Sequence, residues 1–359
     1  MEIVIISTMM ERNNNSQTNR IVALDFLRVL ASFAVIVLHV SAKNWYYTDV
    51  NGFEWQVFNF FDSIVRWSVP AFIMISGCVF LGKEIPIKKL YSKYIIRLAV
   101  SFMVWSLIYS VIDGTVITKP TKIIEGHYHM WFILMIMVVY VCIPLLHELS
   151  VSSPRTRYFL MFSFVFAFLI PETIMLLKDF GSSSVISWTD AFSRNFQKMD
   201  IQVFLGYISY FVLGYFFSSI EIRKKQRIII YILGIFGFIF TILVDLIVAL
   251  KTQTMCGHYY NYFSVNVFCE SMAVFIWFKN RQFKQGRLSW FVQKMAKYSF
   301  GAYLVHALVM EQLDLRFGIN SLSFNPVLAV ILVSVLVFSI SYTISALLNQ
   351  IPIVKKYLV

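Results

Sequence analysis

The sequence predicts an all-α, polytopic transmembrane helical bundle, on the basis of three observations. Of the 359 residues, 58% are hydrophobic and only 14% are charged, whereas a soluble domain carries about 25% charged residues. The mean hydropathy is +0.71. About ten apolar runs are long enough to cross a hydrocarbon core of about 30 Å as helices of roughly twenty residues. A soluble globular domain is therefore excluded.

The ten apolar runs are separated by segments rich in turn-forming and charged residues. Examples are GKEIPIKK after the second run and EIRKKQR after the sixth. We expect a cytosolic tail over residues 1–20 and a single transmembrane domain over residues 21–359. The spans are predicted near residues 22–42, 63–82, 92–113, 128–147, 158–177, 202–219, 228–250, 260–278, 298–315 and 327–348.

The basic residues predict the orientation of the bundle. If the amino terminus is cytosolic, about two thirds of the 31 lysines and arginines fall in cytosolic segments, as the positive-inside rule requires. Both termini are therefore predicted to be cytosolic. The same placement explains the net charge of +12, because cytosolic basic residues face anionic lipid headgroups. A nucleic-acid partner is not expected.

Several kinds of site find no support in the sequence. It contains no phosphate-binding glycine loop, no HExxH and no GxSxG. The histidines include no i, i+4 pair, so no metal site is predicted. Cys78, Cys142, Cys256 and Cys269 lie in or beside apolar runs without a CxxC pair, and we interpret them as small core residues.

The first predicted span carries three ionisable side chains, Asp25, Arg28 and His39. Ionisable groups are costly inside a bilayer, so they usually face the protein interior or a water-filled cavity. Arg28 and His39 are eleven positions apart, which puts them on nearly one helix face and about 16 Å from each other. Asp25 lies on that face and can pair with Arg28. The predicted orientation places Arg28 toward the cytosol and His39 toward the outside.

Each of these residues also has a structural interpretation. His39 can be a packing histidine that bonds a hydroxyl or carbonyl group of a neighbouring helix. Arg28 can pair with Asp25 alone, or extend toward the inner interface. Their alignment on one stripe favours a functional role.

Further polar residues are predicted near the outer ends and middles of other spans. Arg66 lies near the outer end of the second span, and His129 begins the fourth near the depth of His39. Interface anchoring is the structural alternative for both. Ser76 and Gly77 form a small pair of the kind that lets helices approach closely.

Three more ionisable residues, Asp245, Glu270 and His306, are predicted to lie within spans, and the sequence leaves their roles open. The longest predicted outer segment, residues 178–201, is too polar for the membrane. We expect it to form a lid or a binding surface.

Four segments, in order along nearly the whole chain, resemble motifs of the membrane-bound acyltransferase-3 family. RIVALDFLRVLASFAVIVLH is similar to the opening helix, with its arginine–ten residues–histidine spacing. RWSVPAFIMISGCVFLGKE resembles the second-helix motif, in which Gly-Tyr is commoner than the Gly-Cys found here. YHMWFILMIMVVYVCIPLL resembles the H-x-W-F…Y…P segment, and YSFGAYLVHALV the late S-x-G-x-Y-x-x-H segment. The chain is most similar to the compact branch that includes surface-polysaccharide O-acetyltransferases.

The resemblance implies a membrane O-acyltransferase of the bacterial plasma membrane. Such an enzyme moves an acyl group, usually acetyl from cytosolic acetyl-CoA, to a hydroxyl of an envelope glycan or a lipid-linked sugar. Arg28, together with Asp25 and Ser76, would hold the acyl-CoA donor. His39 would act either as a general base or as a covalent acyl acceptor.

For the developing oxyanion, the resemblance implies stabilisation by Arg66 or His129. The sequence does not identify the acceptor, the acyl group (acetyl, succinyl or another) or the oligomeric state.

Two other functions compete with this one. A secondary transporter or glycan flippase shares the intramembrane charges, but such proteins often contain internal repeats. The charged first helix has no counterpart in the second half of the chain. A non-catalytic component of polysaccharide export is the second alternative, which the presence of Arg28, His39, Arg66 and His129 disfavours.

Overall fold

The computed structural model describes residues 14–151 and 153–359, and the regular structure in these ranges is entirely helical. Most of the predicted tail, residues 1–13, lies outside the described residues. The main helices are α1 (Asn14–Trp45), α2 (Phe53–Ser63), α3 (Ser68–Phe80), α4 (Ile87–Ile112), α5 (Trp131–Val141), α6 (Ile143–Val151), α7 (Ser153–Phe180), α8 (Ser183–Gln197), α9 (Ile201–Ser219), α10 (Lys224–Thr252), α11 (Val265–Lys279), α12 (Arg287–Ala296), α13 (Ser299–Phe317), α14 (Pro326–Leu348) and α15 (Pro352–Tyr357).

Every predicted span coincides with a helix, and the prediction of an all-α polytopic bundle is confirmed. Within the described ranges, six spans are long and apolar enough to cross a membrane: α1 from Val22 onward, α2 with α3, α4, α7, α10 and α14. A bent α5–α6 pair makes up to seven, and α9 contributes a shorter apolar helix. The number ten and the cytosolic placement of both termini stay predictions.

Helix α1 lies at the centre of the bundle. It packs against α2, α3, α11, α12, α13 and α14. Leu27 and Ala31 on α1 are fully buried, and the small Ala31 lets neighbouring helices come close. The helix that carries the charged stripe is therefore surrounded mainly by protein rather than by lipid.

The second span begins earlier than predicted, at Phe53 rather than near residue 63. The polar residues of α2 favoured a loop in the sequence, but Asn59 and Asp62 are buried in the protein interior. Asn59 accepts a hydrogen bond from the Tyr260 hydroxyl. Hydrogen bonds from a distant segment therefore offset the cost of burying polar side chains of α2, so this segment is helical and not a loop.

The fourth span is broken. Helices α5 and α6 meet at Cys142 with a bend of 60°. Pro144, the second residue of α6, has no amide hydrogen to donate, and its ring clashes with the preceding helical turn. The bend therefore has a local cause in the sequence.

Two glycines set the close crossing of α3 and α9. A Cβ atom on Gly77 would lie 1.7 Å from the backbone oxygen of Phe211, and one on Gly214 would lie 2.0 Å from that of Met74. The small-residue interpretation of Gly77 is thus confirmed, because the two backbones touch where these residues lie.

Replacing Gly77 by alanine is expected to force α3 and α9 apart and to destabilise the bundle by about 3 kcal/mol or more, since the clash is with backbone. Gly286→Ala is the matched control, because nothing lies within 4 Å of its added Cβ. Thermal unfolding of the purified protein in detergent should show a lower Tm for Gly77→Ala only. Equal Tm values for the two variants would contradict the close crossing.

Candidate active site

A cavity of about 2050 Å³ runs alongside α1, and both Arg28 and His39 line it. Because α1 is one continuous helix, the two side chains are about 16 Å apart along its axis. The remaining walls come from α3, α4, α5, α12, α13, α14 and α15 and from the segments that connect the helices. The two ends of the charged stripe therefore open onto a single space.

The lining of the cavity is strongly basic. Eight further cationic side chains line the cavity: Lys83, Lys89, Lys93, Arg97, Lys294, Lys297, Lys355 and Lys356. Among the described residues, the acidic side chains that line it are Asp25 and Glu84. All eight cations belong to segments that are predicted to be cytosolic. Because Arg28 is also predicted to lie toward the cytosol, the predicted cytosolic end of the cavity is suited to a polyanion.

Asp25 and Ser76 also line the cavity. The carboxylate of Asp25 is buried, and its Oδ2 atom has no hydrogen-bond partner in the described part of the chain. The Ser76 hydroxyl lies 3.5 Å from the Tyr140 hydroxyl. An unpartnered buried acceptor is costly, so the Asp25 oxygen is available to a ligand that donates a hydrogen bond.

At the other end of the cavity, several imidazoles come together. The rings of His39 and His306 have centroids 5.1 Å apart, and those of His129 and His306 are 4.9 Å apart. His39 and His129 line the cavity, and Tyr128 packs edge-on against His39. The structure therefore brings together His39 and His129, as predicted, and adds His306, whose role the sequence left open.

His127 and Glu311 extend this group of imidazoles through polar contacts. Nδ1 of His127 lies 3.1 Å from Nδ1 of His129, and Nε2 of His127 lies 3.3 Å from Oε1 of Glu311. The His127 ring stacks on Tyr109, with ring centroids 4.1 Å apart. Sequence reasoning missed Glu311, although it is an acid inside a predicted span, five residues after His306.

Arg66 is positioned differently from His129. Its guanidinium pairs with Asp62 and lies 4.2 Å from the ring centroid of Tyr260. It is not among the described residues that line the cavity, whereas Tyr262, which interacts with it, does line the cavity. The predicted oxyanion role of Arg66 therefore stays a prediction, and in this conformation Arg66 lies behind the cavity wall.

Asp245 and Glu270 belong to a buried network that joins α10 to α11. The Thr241 hydroxyl lies 2.7 Å from Oε1 of Glu270 and accepts a hydrogen bond from Asn266. Asp245 accepts a hydrogen bond from the backbone amide of Tyr259, at 3.5 Å. These contacts give both acids a structural place outside the described lining of the cavity.

Residues 178–201 contain helix α8, whose Trp188 is 81% exposed. Its described residues do not line the cavity, so a role as a lid or a binding surface stays a prediction.

As for metal binding, no group of three or more His, Cys, Asp or Glu side chains in the described residues is arranged to hold an ion.

Comparison with known proteins identifies the family. A family model described as an acyltransferase domain, that of the acyltransferase-3 family, matches residues 21–346. No curated protein and no solved structure matches the chain. The matched range includes α1 from residue 21, the cavity residues Arg28 and His39, and the imidazole group. The chain therefore belongs to the acyltransferase-3 family, and it is a multi-pass membrane acyltransferase.

Proposed function

We propose that the protein is an O-acyltransferase of the plasma membrane. It moves an acetyl group, or another short acyl group, from its cytosolic CoA thioester to a hydroxyl of an envelope glycan or of a lipid-linked precursor. The observation that supports this most strongly is the single cavity that Arg28 and His39 share, with cationic side chains near Arg28 and imidazoles near His39.

The chemistry of acyl-CoA fits the two ends of this cavity. Its nucleotide end carries phosphates, which guanidinium and ammonium groups bind through charge-assisted hydrogen bonds. Its pantetheine arm carries amide N–H groups, for which the unpartnered Oδ2 of Asp25 is an acceptor. With the phosphates among the basic residues and the arm passing Arg28 and Ser76, the thioester comes to His39.

At His39 two routes fit the same contacts. As a general base, the imidazole takes the proton of the acceptor hydroxyl, and the oxygen of that hydroxyl attacks the thioester carbonyl. The acyl–oxygen bond forms, the carbon–sulfur bond breaks, and the proton passes to the CoA thiolate. Alternatively, the imidazole first accepts the acyl group and releases CoA, and the hydroxyl then displaces the imidazole.

Mass spectrometry of envelope glycans tests the proposal directly. Glycans from cells that express the protein should carry an added acyl mass that is missing from otherwise identical cells without it. That mass identifies both the acyl group and the modified sugar. Identical glycan spectra, with the protein present in the membrane, would contradict the proposed function.

The basic lining of the cavity predicts that lysines in the cavity, but not lysines elsewhere, lower the KM for acetyl-CoA. Replacing Lys355 and Lys356 together by glutamine should raise the KM for acetyl-CoA roughly three- to tenfold, since exposed charge pairs contribute modestly. The effect should shrink as salt rises. The matched control is another pair of consecutive, exposed lysines, Lys224 and Lys225, which lies outside the described cavity lining. Equal KM changes in both double variants would show that the cavity cations do not bind the donor.

A further inference from the structure

We propose that Glu311 and His127 are positioning residues that hold His129 in one tautomer. In this tautomer Nδ1 of His129 carries the proton, and Nε2 accepts a hydrogen bond from the hydroxyl that is to be acylated. The inference rests on the proposed O-acyltransferase reaction and assigns a binding group for its acceptor substrate.

The carboxylate of Glu311 determines which nitrogen of His127 carries a proton. A carboxylate accepts hydrogen bonds and does not donate them. Because Oε1 of Glu311 lies 3.3 Å from Nε2 of His127, the proton of His127 belongs on Nε2. A His127 ring that carries a single proton, on Nε2, presents Nδ1 as an acceptor. The stacking of this ring on Tyr109 fixes its orientation, so that Nδ1 stays directed at His129.

His127 and His129 are joined by a hydrogen bond between their rings. Their Nδ1 atoms are 3.1 Å apart, so one of them must supply a proton. Nδ1 of His127 is the acceptor in this contact, because the proton of His127 is on Nε2, facing Glu311. Nε2 of His129 has no hydrogen-bond partner in the described chain. The nitrogen that donates is therefore Nδ1 of His129, and Nε2 keeps its lone pair.

The neighbouring imidazole, His306, also carries its proton on Nδ1, because of a different contact. Nδ1 of His306 bonds the backbone carbonyl of Tyr303, so its proton is also on Nδ1. Nε2 of His306, like that of His129, has no partner among the described residues. Both rings are almost fully buried, with 1% and 2% exposure.

The lone pair of His129 indicates the chemistry of the ligand, because His129 lines the cavity, whereas His306 is not among its described lining residues. Buried acceptors without donors are costly, and native structures usually satisfy them. His129 lines the cavity next to the His39–His306 pair. A polyhydroxyl compound such as a sugar supplies several donors within a small volume. We infer that the sugar hydroxyls bind here, beside the base that activates one of them.

The tautomer also narrows the role of His129. A ring that carries its proton on Nδ1 cannot donate to an oxyanion through Nε2. His129 therefore binds the hydroxyl of the acceptor substrate. This role replaces the oxyanion stabilisation that the family resemblance implied.

Two substitutions at His127 separate hydrogen bonding from packing. In His127→Asn the side-chain oxygen can replace Nδ1 as an acceptor, whereas His127→Phe keeps the ring that stacks on Tyr109 but offers no acceptor. We expect kcat for transfer from [14C]acetyl-CoA to membrane glycans to fall on the order of 10²-fold in His127→Phe. His127→Asn should recover most of that loss, and the KM for acetyl-CoA should change little in both. A packing role predicts the reverse order of the two variants and would overturn the inference. The exposed His258, changed to phenylalanine, is the control.

Nitrogen NMR of protein labelled with 15N-histidine tests the tautomer without any substrate. The signals of His129, identified by their loss in His129→Gln, should show a protonated Nδ1 and an unprotonated Nε2. A protonated Nε2 in the wild-type protein would overturn the inference. Because this spectrum does not depend on transfer, a protein with the expected tautomer but no transfer would contradict the proposed function instead.

Discussion

Replacing His39 by alanine is expected to reduce acyl transfer by about 10²- to 10⁴-fold, because the general base or the covalent acceptor is lost. The binding of acetyl-CoA should change little, since His39 lies about 16 Å from Arg28 along α1. The release of CoA thiol by purified protein, supplied with membranes that contain the acceptor, measures the rate. Calorimetric titration with CoA measures binding.

The control for this prediction is His258→Ala, which removes an exposed histidine that lies outside the described cavity lining. A His39→Ala protein with wild-type Tm and wild-type transfer would contradict the role of His39. A protein with normal transfer but weakened CoA binding would move His39 from the chemistry to the donor site.

Replacing Arg28 by alanine is expected to weaken acyl-CoA binding by roughly 10- to 100-fold, because a charge-assisted hydrogen bond contributes about 1.5–3 kcal/mol. The loss should fall mainly on KM, and kcat at saturating donor should change less. Arg28→Lys should recover part of the affinity, since it keeps the charge but loses the planar fork of donors.

Arg223→Ala supplies the comparison for Arg28. Arg223 is exposed on a segment that is predicted to be cytosolic, and it is not among the described cavity residues. Normal acetyl-CoA affinity in Arg28→Ala would show that Arg28 has a structural role, such as the predicted pairing with Asp25.

The helical architecture and the central stripe could be predicted from the sequence because both depend on local spacing. Apolar runs of membrane length identify helices without any tertiary information. The interval between Arg28 and His39 follows from helix geometry alone. A helix with ionisable residues on one face must turn that face away from lipid, which is why both residues line the same cavity.

The rest of the site depends on contacts between distant segments, which a single sequence does not reveal. His127 and Glu311 meet across 184 positions of the chain, and no local pattern links them. The sequence placed Arg66 near the outer end of the second span, but its guanidinium pairs with Asp62, one helical turn earlier, and lies over the ring of Tyr260. Helix α2 was missed because buried partners such as Tyr260 satisfy its polar side chains.

The most direct test is the sidedness of transfer through the cavity. Membrane vesicles of both orientations, prepared from cells that contain the glycan acceptor, should be supplied with external [14C]acetyl-CoA. We expect labelled glycan only in inside-out vesicles, with the label enclosed in the lumen, because the basic end of the cavity is predicted to face the cytosol and His39 is predicted to lie near the opposite side. Labelled glycan on the same side as the added acetyl-CoA would contradict transfer across the membrane through this cavity.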